Sequence, residues 1–253
     1  MTSFDDFLSL LDGIIQAPPP FYRANIRGVT INEPISAPLC LTLDLASNTS
    51  AACDLFNQPS FNAALKVLLN SWGDWLKTSA SSDTLADQWF SEDGLAMLES
   101  GLGQLTFDET YKLELGPPQR YTSWDSFFTR EFKDTSVRPI ATDPNTPFLY
   151  NACESTVSRT ATNVQLNDTF WLKAQNYPLH DILGGNDSKS LAPEYASQLA
   201  GGSAYQAFLS PADYHRWHSP IKGNILASRV FDGTYYAALL DDGAPPYDHP
   251  RAG

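Results

Sequence analysis

The sequence predicts an α+β protein, a helical amino-terminal domain followed by one built mainly of antiparallel strands. Three observations carry that expectation. In the first half, apolar residues recur at helical spacing, as in Phe61, Leu65, Leu68, Trp72 and Leu76. Beyond Arg138-Pro139 they come in short runs separated by Gly, Pro, Asn and Asp, the pattern of strands and turns. Between the two regimes stands Gly116-Pro117-Pro118, a strong break. The expected domains are therefore 1–116, helical, and 117–253, strand-rich.

The elements follow in order. Ser3 can cap a first helix whose opening turn carries Asp5 and Asp6 against the positive end of the helix dipole, with Phe4, Phe7, Leu8, Leu11 and Ile15 on one face. Residues 18–38 read as a proline-punctuated connector that opens with Pro18-Pro19-Pro20. A second helix is expected from about Ser60, where the stripe Phe61 to Leu76 is a core face. A third runs from Asp83 to about Ser100 and closes at Gly101-Leu102-Gly103. Ser123 can cap a further helix reaching Lys133, with Trp124, Phe127, Phe128 and Phe132 as its aromatic face. Strands are expected at 148–150, 155–159, 169–173, 205–209 and 224–231. The final GAPPYDHPRAG is too rich in Pro and Gly to complete a folded element.

Composition removes several functions. With 42% hydrophobic and 18% charged residues in 253, the chain can bury a substantial core. Its 16 basic and 29 acidic side chains leave a net charge of −13, and no cluster of Lys or Arg stands out. Phosphate backbones and anionic headgroups are bound through such clusters, so neither nucleic acid nor polybasic membrane docking is expected. No apolar run is long enough for a membrane span, and MTSFDDFLSLLDGII is too acidic for a signal peptide. The three cysteines, Cys40, Cys53 and Cys153, cannot all pair and lack CxxC spacing. A reducing, cytoplasmic setting follows, in which the three Asn-x-Ser/Thr triplets at 48, 167 and 186 are chance matches.

Four histidines are present, and two of them lie together in Leu209-Ser210-Pro211-Ala212-Asp213-Tyr214-His215-Arg216-Trp217-His218-Ser219-Pro220. Imidazoles exchange protons near neutral pH, so this pair suits acid–base catalysis, structural hydrogen bonding, or metal ligation with added carboxylates. A zinc site, as in a metal-dependent hydrolase, needs further ligands, and no HExxH or second His pair supplies them.

The string from Asp213 to Pro220, followed by Gly223, closely resembles the DYHRxHxPxxG segment of phosphatidylserine decarboxylases. Phe127-Phe128-Thr129-Arg130-Glu131-Phe132-Lys133 with Arg138-Pro139-Ile140 resembles the family's FFxRxLK and RPI element. Phe170-Trp171-Leu172-Lys173, Tyr177-Pro178-Leu179 and Ile182-Leu183-Gly184 resemble its lysine-bearing strand and short LLG helix. Ala152-Cys153-Glu154-Ser155 and Ala86-Asp87-Gln88-Trp89-Phe90 are similar to the soluble fungal branch that includes tryptophan decarboxylase.

The resemblance implies a proenzyme that cuts its own chain at a Gly-Ser bond and leaves a pyruvoyl group as the electron sink for decarboxylation. It matches His218 to the histidine that activates the serine, His215 to the one that handles substrate protons, and Glu154 to the acidic partner of His218. The family's Gly-Ser motif lies well beyond the histidine segment, and Gly202-Ser203 precedes that segment instead. The strand-rich domain is therefore expected to be truncated and the pyruvoyl-forming serine to be absent from this chain. The implied partners are a carboxy-terminal pyruvoyl-bearing chain or a full-length relative, with a free aromatic amino acid such as tryptophan as substrate. The chain alone is then inactive. Two other readings are a phosphatidylserine decarboxylase of phospholipid synthesis and a noncatalytic binding module.

Overall fold

A computed structural model describes residues 3–26, 29–32, 37–47, 49–139, 148–172, 175–187, 189–231 and 234–236. Among these, chain order runs α1 (Phe4–Ile15), β1 (Arg23–Ile26), β2 (Val29–Asn32), α2 (Ala37–Ser47), α3 (Ser50–Phe56) and α4 (Pro59–Leu76). A 3-10 turn (Ser79–Thr84) and a π turn (Leu85–Trp89) lead to α5 (Glu92–Glu99), α6 (Phe107–Thr110) and α7 (Trp124–Phe128). Then come β3 (Thr156–Thr162), β4 (Thr169–Leu172), β5 (Gln175–Pro178), α8 (Leu179–Ile182), α9 (Ala192–Leu199) and β6 (Ser203–Phe208). The strands form three antiparallel pairs, β1 with β2, β3 with β6 and β4 with β5. The expected α+β class is the class observed. No described helix is long and apolar enough to cross a membrane.

Several boundaries differ from the expectation, each for a tertiary reason. Ser3 does cap α1, in a full capping box with Asp6. The 18–38 connector contains the β1–β2 hairpin, and α2 begins at its end. The helix expected over 83–100 is broken at Phe90-Ser91: the Phe90 N–H reaches back five residues to Leu85, and Ser91 caps a fresh helix. There Gly94 passes so close that an added Cβ would lie 2.3 Å from the Trp89 carbonyl oxygen. The helix expected from Ser123 to Lys133 stops at Phe128, because the next residues leave to pair with the stretch after α6. Lys112 N–H donates to Glu131, Lys133 N–H donates to Thr110, and Tyr111 bridges Phe132.

Strands expected at 155–159, 169–173 and 205–209 appear as β3, β4 and β6, although Lys173 lies outside the described residues. Residues 148–150 and 224–231 form no strand. Residues 224–231 have strand composition but no ladder partner among the described residues, and Ile225 is 89% exposed.

Two compact units result. The first comprises Met1–Leu43, Ala64–Ser155 and Leu209–Lys222. Its core is aromatic: Trp89, Phe90, Phe107, Tyr111, Tyr121, Trp124 and Phe127 pack with Leu85, Leu98, Leu102 and Ala212. The rings meet mostly edge-on or tilted, as quadrupoles prefer. Buried polar groups fix the approach of the elements. The Pro19 carbonyl accepts from Trp89 Nε1 and Thr84 Oγ1, while Ser81 Oγ accepts the first N–H of α7.

The second unit comprises Asp44–Ala63, Thr156–Phe208 and Gly223–Gly253. The β3–β6 pair runs Thr156 against Phe208 to Thr162 against Ser203, with a bulge between Val157 and Arg159. Ser203, of the Gly202-Ser203 pair that precedes the histidine segment, is thus the first residue of a paired strand. Gly184, at φ +105°, lets the Phe231 ring approach where a Cβ would collide at 2.6 Å. A cleft of about 840 Å³ lies along this unit, lined by Val164, Phe170, Leu179, Leu199 and Arg159 among others.

Candidate active site

The histidine segment is held in the first unit by the residues at and after the end of α7. Ser123 and Ser126 cap α7 reciprocally, and Trp124 and Phe127 anchor it in the core. From there Phe128 stacks on the His215 ring at 3.9 Å between centroids, with 28° between planes. The Thr129 carbonyl accepts from Arg216 Nε at 2.8 Å, and Glu131 pairs with the same guanidinium at 3.3 Å. Phe132 stacks on Tyr214 at 3.9 Å. On the segment itself, Ser210 and Asp213 close a turn: the Ser210 N–H donates to Asp213 Oδ2, and the Asp213 N–H donates to the Ser210 carbonyl.

This setting fixes the chemistry of His215. Its Nε2 lies 3.2 Å from the Pro211 carbonyl oxygen, which can only accept, so the proton sits on Nε2 and Nδ1 is the basic nitrogen. Burial lowers its pKa below the ordinary histidine value; the Pro211 and Ser210 carbonyls oppose that shift, and the Arg130 cation adds to it. His215 is therefore a neutral, half-buried imidazole at neutral pH. Its neighbour Asp213 is shifted the other way, upward, first by burial and then by the Glu154 charge, against the pull of the Ser210 N–H and Arg130.

His218 is exposed, and its backbone N–H donates to the Ala152 carbonyl at 2.8 Å, which brings 152–154 alongside the histidine segment. Glu154 joins the same cluster. One carboxylate oxygen takes Arg138 Nη2 at 2.5 Å and the other takes the Tyr214 N–H at 3.0 Å. Glu154 thus grips the residue before His215, and neither imidazole is among its hydrogen-bond partners. All three expected site residues lie in one unit, around one segment. Among the described residues, no three His, Cys, Asp or Glu side chains converge as a metal site would require.

Two residues quoted in the FFxRxLK resemblance were given no role from sequence: Phe128, the stacking partner of His215, and Arg130, which is 2% exposed and donates to the carbonyls of Ala212 and Asp213. Periodicity placed Phe128 on the aromatic face of the expected helix, which also spanned Arg130; their contacts lie some 80 residues along the chain.

An α+β chain that seats a paired-histidine segment on an aromatic helix end has the parts of a proton-transfer site. Its family is established by comparison: the phosphatidylserine decarboxylase family model matches residues 124–243, and a second phosphatidylserine decarboxylase model matches residues 1–98. The chain is 42% identical to Decarboxylase iboD of Amanita muscaria over 93% of its own length and 67% of that protein's. It is 31% identical to the L-tryptophan decarboxylase of Psilocybe cyanescens over 98% of its length and 59% of that protein's. It is 24% identical to the phosphatidylserine decarboxylase proenzyme of Alcanivorax borkumensis over 72% of its length and 54% of that protein's. The chain belongs to the phosphatidylserine decarboxylase family, and it spans about two thirds or less of the length of these relatives.

Proposed function

We propose that this chain is the histidine-bearing part of a pyruvoyl-dependent carboxy-lyase that acts on a free amino acid, an aromatic one such as tryptophan, in the cytoplasm. The observation that carries the reading is the state of His215: a neutral imidazole, fixed in one tautomer by Pro211 and in one plane by Phe128. Such a group can take a proton without first losing one to solvent, and return it afterwards. The resemblance to fungal amino-acid decarboxylases and the net charge of −13, which opposes an anionic bilayer, favour a free amino acid over a phospholipid.

The donor set fits a pyruvoyl group. Decarboxylation with such a sink asks the protein for proton transfer and orientation, and His215 and His218, three residues apart on one segment, are the groups that can supply them. When present, the pyruvoyl carbonyl supplies the electron sink for the pair of electrons left on the substrate carbon as CO2 departs. His215 Nδ1 takes or returns the substrate proton. The exposed His218 ring is free to meet a serine hydroxyl from a carboxy-terminal chain and take its proton in self-cleavage. Glu154 supports both histidines indirectly, through Tyr214 and the 152–154 stretch, rather than as a direct carboxylate partner.

The test is to join this chain to the carboxy-terminal portion of the Amanita relative and measure self-cleavage and CO2 release. Cleavage is expected in the fusion, with turnover of tryptophan or phenylalanine, and the 253-residue chain alone should release none. His218→Ala should block cleavage, while His215→Ala should permit it and lower turnover. Unimpaired processing in His218→Ala refutes the assigned roles. Turnover of phosphatidylserine vesicles with none of the amino acids refutes the substrate.

A further inference from the structure

We infer that Arg130 is a positioning residue for His215, a role that rests on the catalytic reading of that histidine. The side chain is an unusual choice for its place. It is almost wholly buried, its guanidinium lies over the rings of Tyr111, Phe127 and Phe107 at 4.5, 5.2 and 5.5 Å, and no carboxylate forms a salt bridge with it among the described residues. Its Nε is buried with no hydrogen-bond partner among the described residues. A methionine would fill similar space without desolvating a charge or leaving an N–H unanswered, so packing does not account for an arginine here.

What the arginine does that an apolar side chain cannot is hold two successive carbonyls. A single nitrogen, Nη2, donates to Ala212 at 2.7 Å and to Asp213 at 2.8 Å, while Nη1 donates to Phe127 at 3.3 Å. The guanidinium plane thereby ties the last turn of α7 to the backbone two and three residues before His215. Phe128, next to Phe127 on that turn, is the ring on which His215 rests. Both halves of the Phe128–His215 stack are therefore referred to one rigid planar group, and lysine, with a flexible point charge, cannot reproduce the geometry.

The expected signature is spectroscopic. In the wild-type chain, the His215 ring protons, identified by their loss in His215→Gln, should resonate well upfield of those of His180 and His218 because of the Phe128 ring current. In Arg130→Lys and Arg130→Met, with fold checked by far-ultraviolet circular dichroism, most of that separation should vanish. Leu98→Ala, a lesion in the same core, should lower thermal stability and leave the separation intact. If Arg130→Met does not fold, Arg130→Lys decides. A separation preserved in folded Arg130→Lys, its absence in the wild type, or unfolding of Arg130→Lys itself would overturn the assignment, the last by making Arg130 a requirement of the fold. The measurement needs no catalysis, so a failed decarboxylase assay and a failed positioning test are separate results.

Discussion

Replacing Glu154 by alanine removes two interactions of different worth. Arg138 and Glu154 form an ion pair at 2.5 Å, but their side chains are 38% and 24% exposed, so solvent screening limits the pair to about 0.5–1 kcal/mol. The Tyr214 N–H is part-buried and donates to a charged oxygen at 3.0 Å, a bond worth about 1.5–3 kcal/mol when its donor is left unanswered. Together they give an expected loss of about 2–3 kcal/mol in Glu154→Ala, allowing for partial access of water to the freed N–H. Glu154→Gln keeps the shape and one acceptor but turns an NH2 toward one of the two donors, and should cost about 1–2 kcal/mol. Urea denaturation monitored by tryptophan fluorescence reads both values. The Arg138→Ala, Glu154→Ala double-mutant cycle should return a coupling of about 0.5–1 kcal/mol. If Glu154→Gln were as stable as the wild type within about 0.3 kcal/mol and the coupling were nil, Glu154 would not be the clasp described.

Other expectations are as direct. Phe127→Ala, at a fully buried ring in the middle of the aromatic core, should cost about 3–5 kcal/mol, read as a lower urea midpoint with an unchanged slope. Gly94→Ala should destabilise by more than the few tenths of a kcal/mol usual at surface sites, since its Cβ would strike backbone atoms of Gln88 and Trp89; a neutral result would show that the π turn yields easily. Stability should also depend on pH through His215. Its pKa is lowered in the folded state, so its contribution is complete above the ordinary histidine value and is lost as pH falls through that value toward the folded one. Denaturation at pH 7.5 and 5.5 should show a decline that is smaller in His215→Gln, and equal declines in both proteins would exclude His215 as the cause.

The sequence by itself determined what depends on neighbours close along the chain. The caps at Ser3 and Ser123 were legible because the bonded groups are three residues apart, and the α4 stripe because helical spacing gathers one face. The α+β class, the three strands recovered in the second half and the family resemblance all came from such local patterns. Only the tertiary structure decided which segments found partners. Residues 224–231 have a strand's composition and no ladder among the described residues, whereas Arg23–Ile26 and Val29–Asn32, expected as connector, pair as antiparallel strands. Arg130 and Phe132 looked like two positions on a continuing helix, yet α7 ends before them. Pairing with 110–112 and contact with the histidine segment outweigh the helical hydrogen bonds given up. A strand or a buried cation is stable only through a partner, and when that partner lies 82 residues away no local periodicity encodes it.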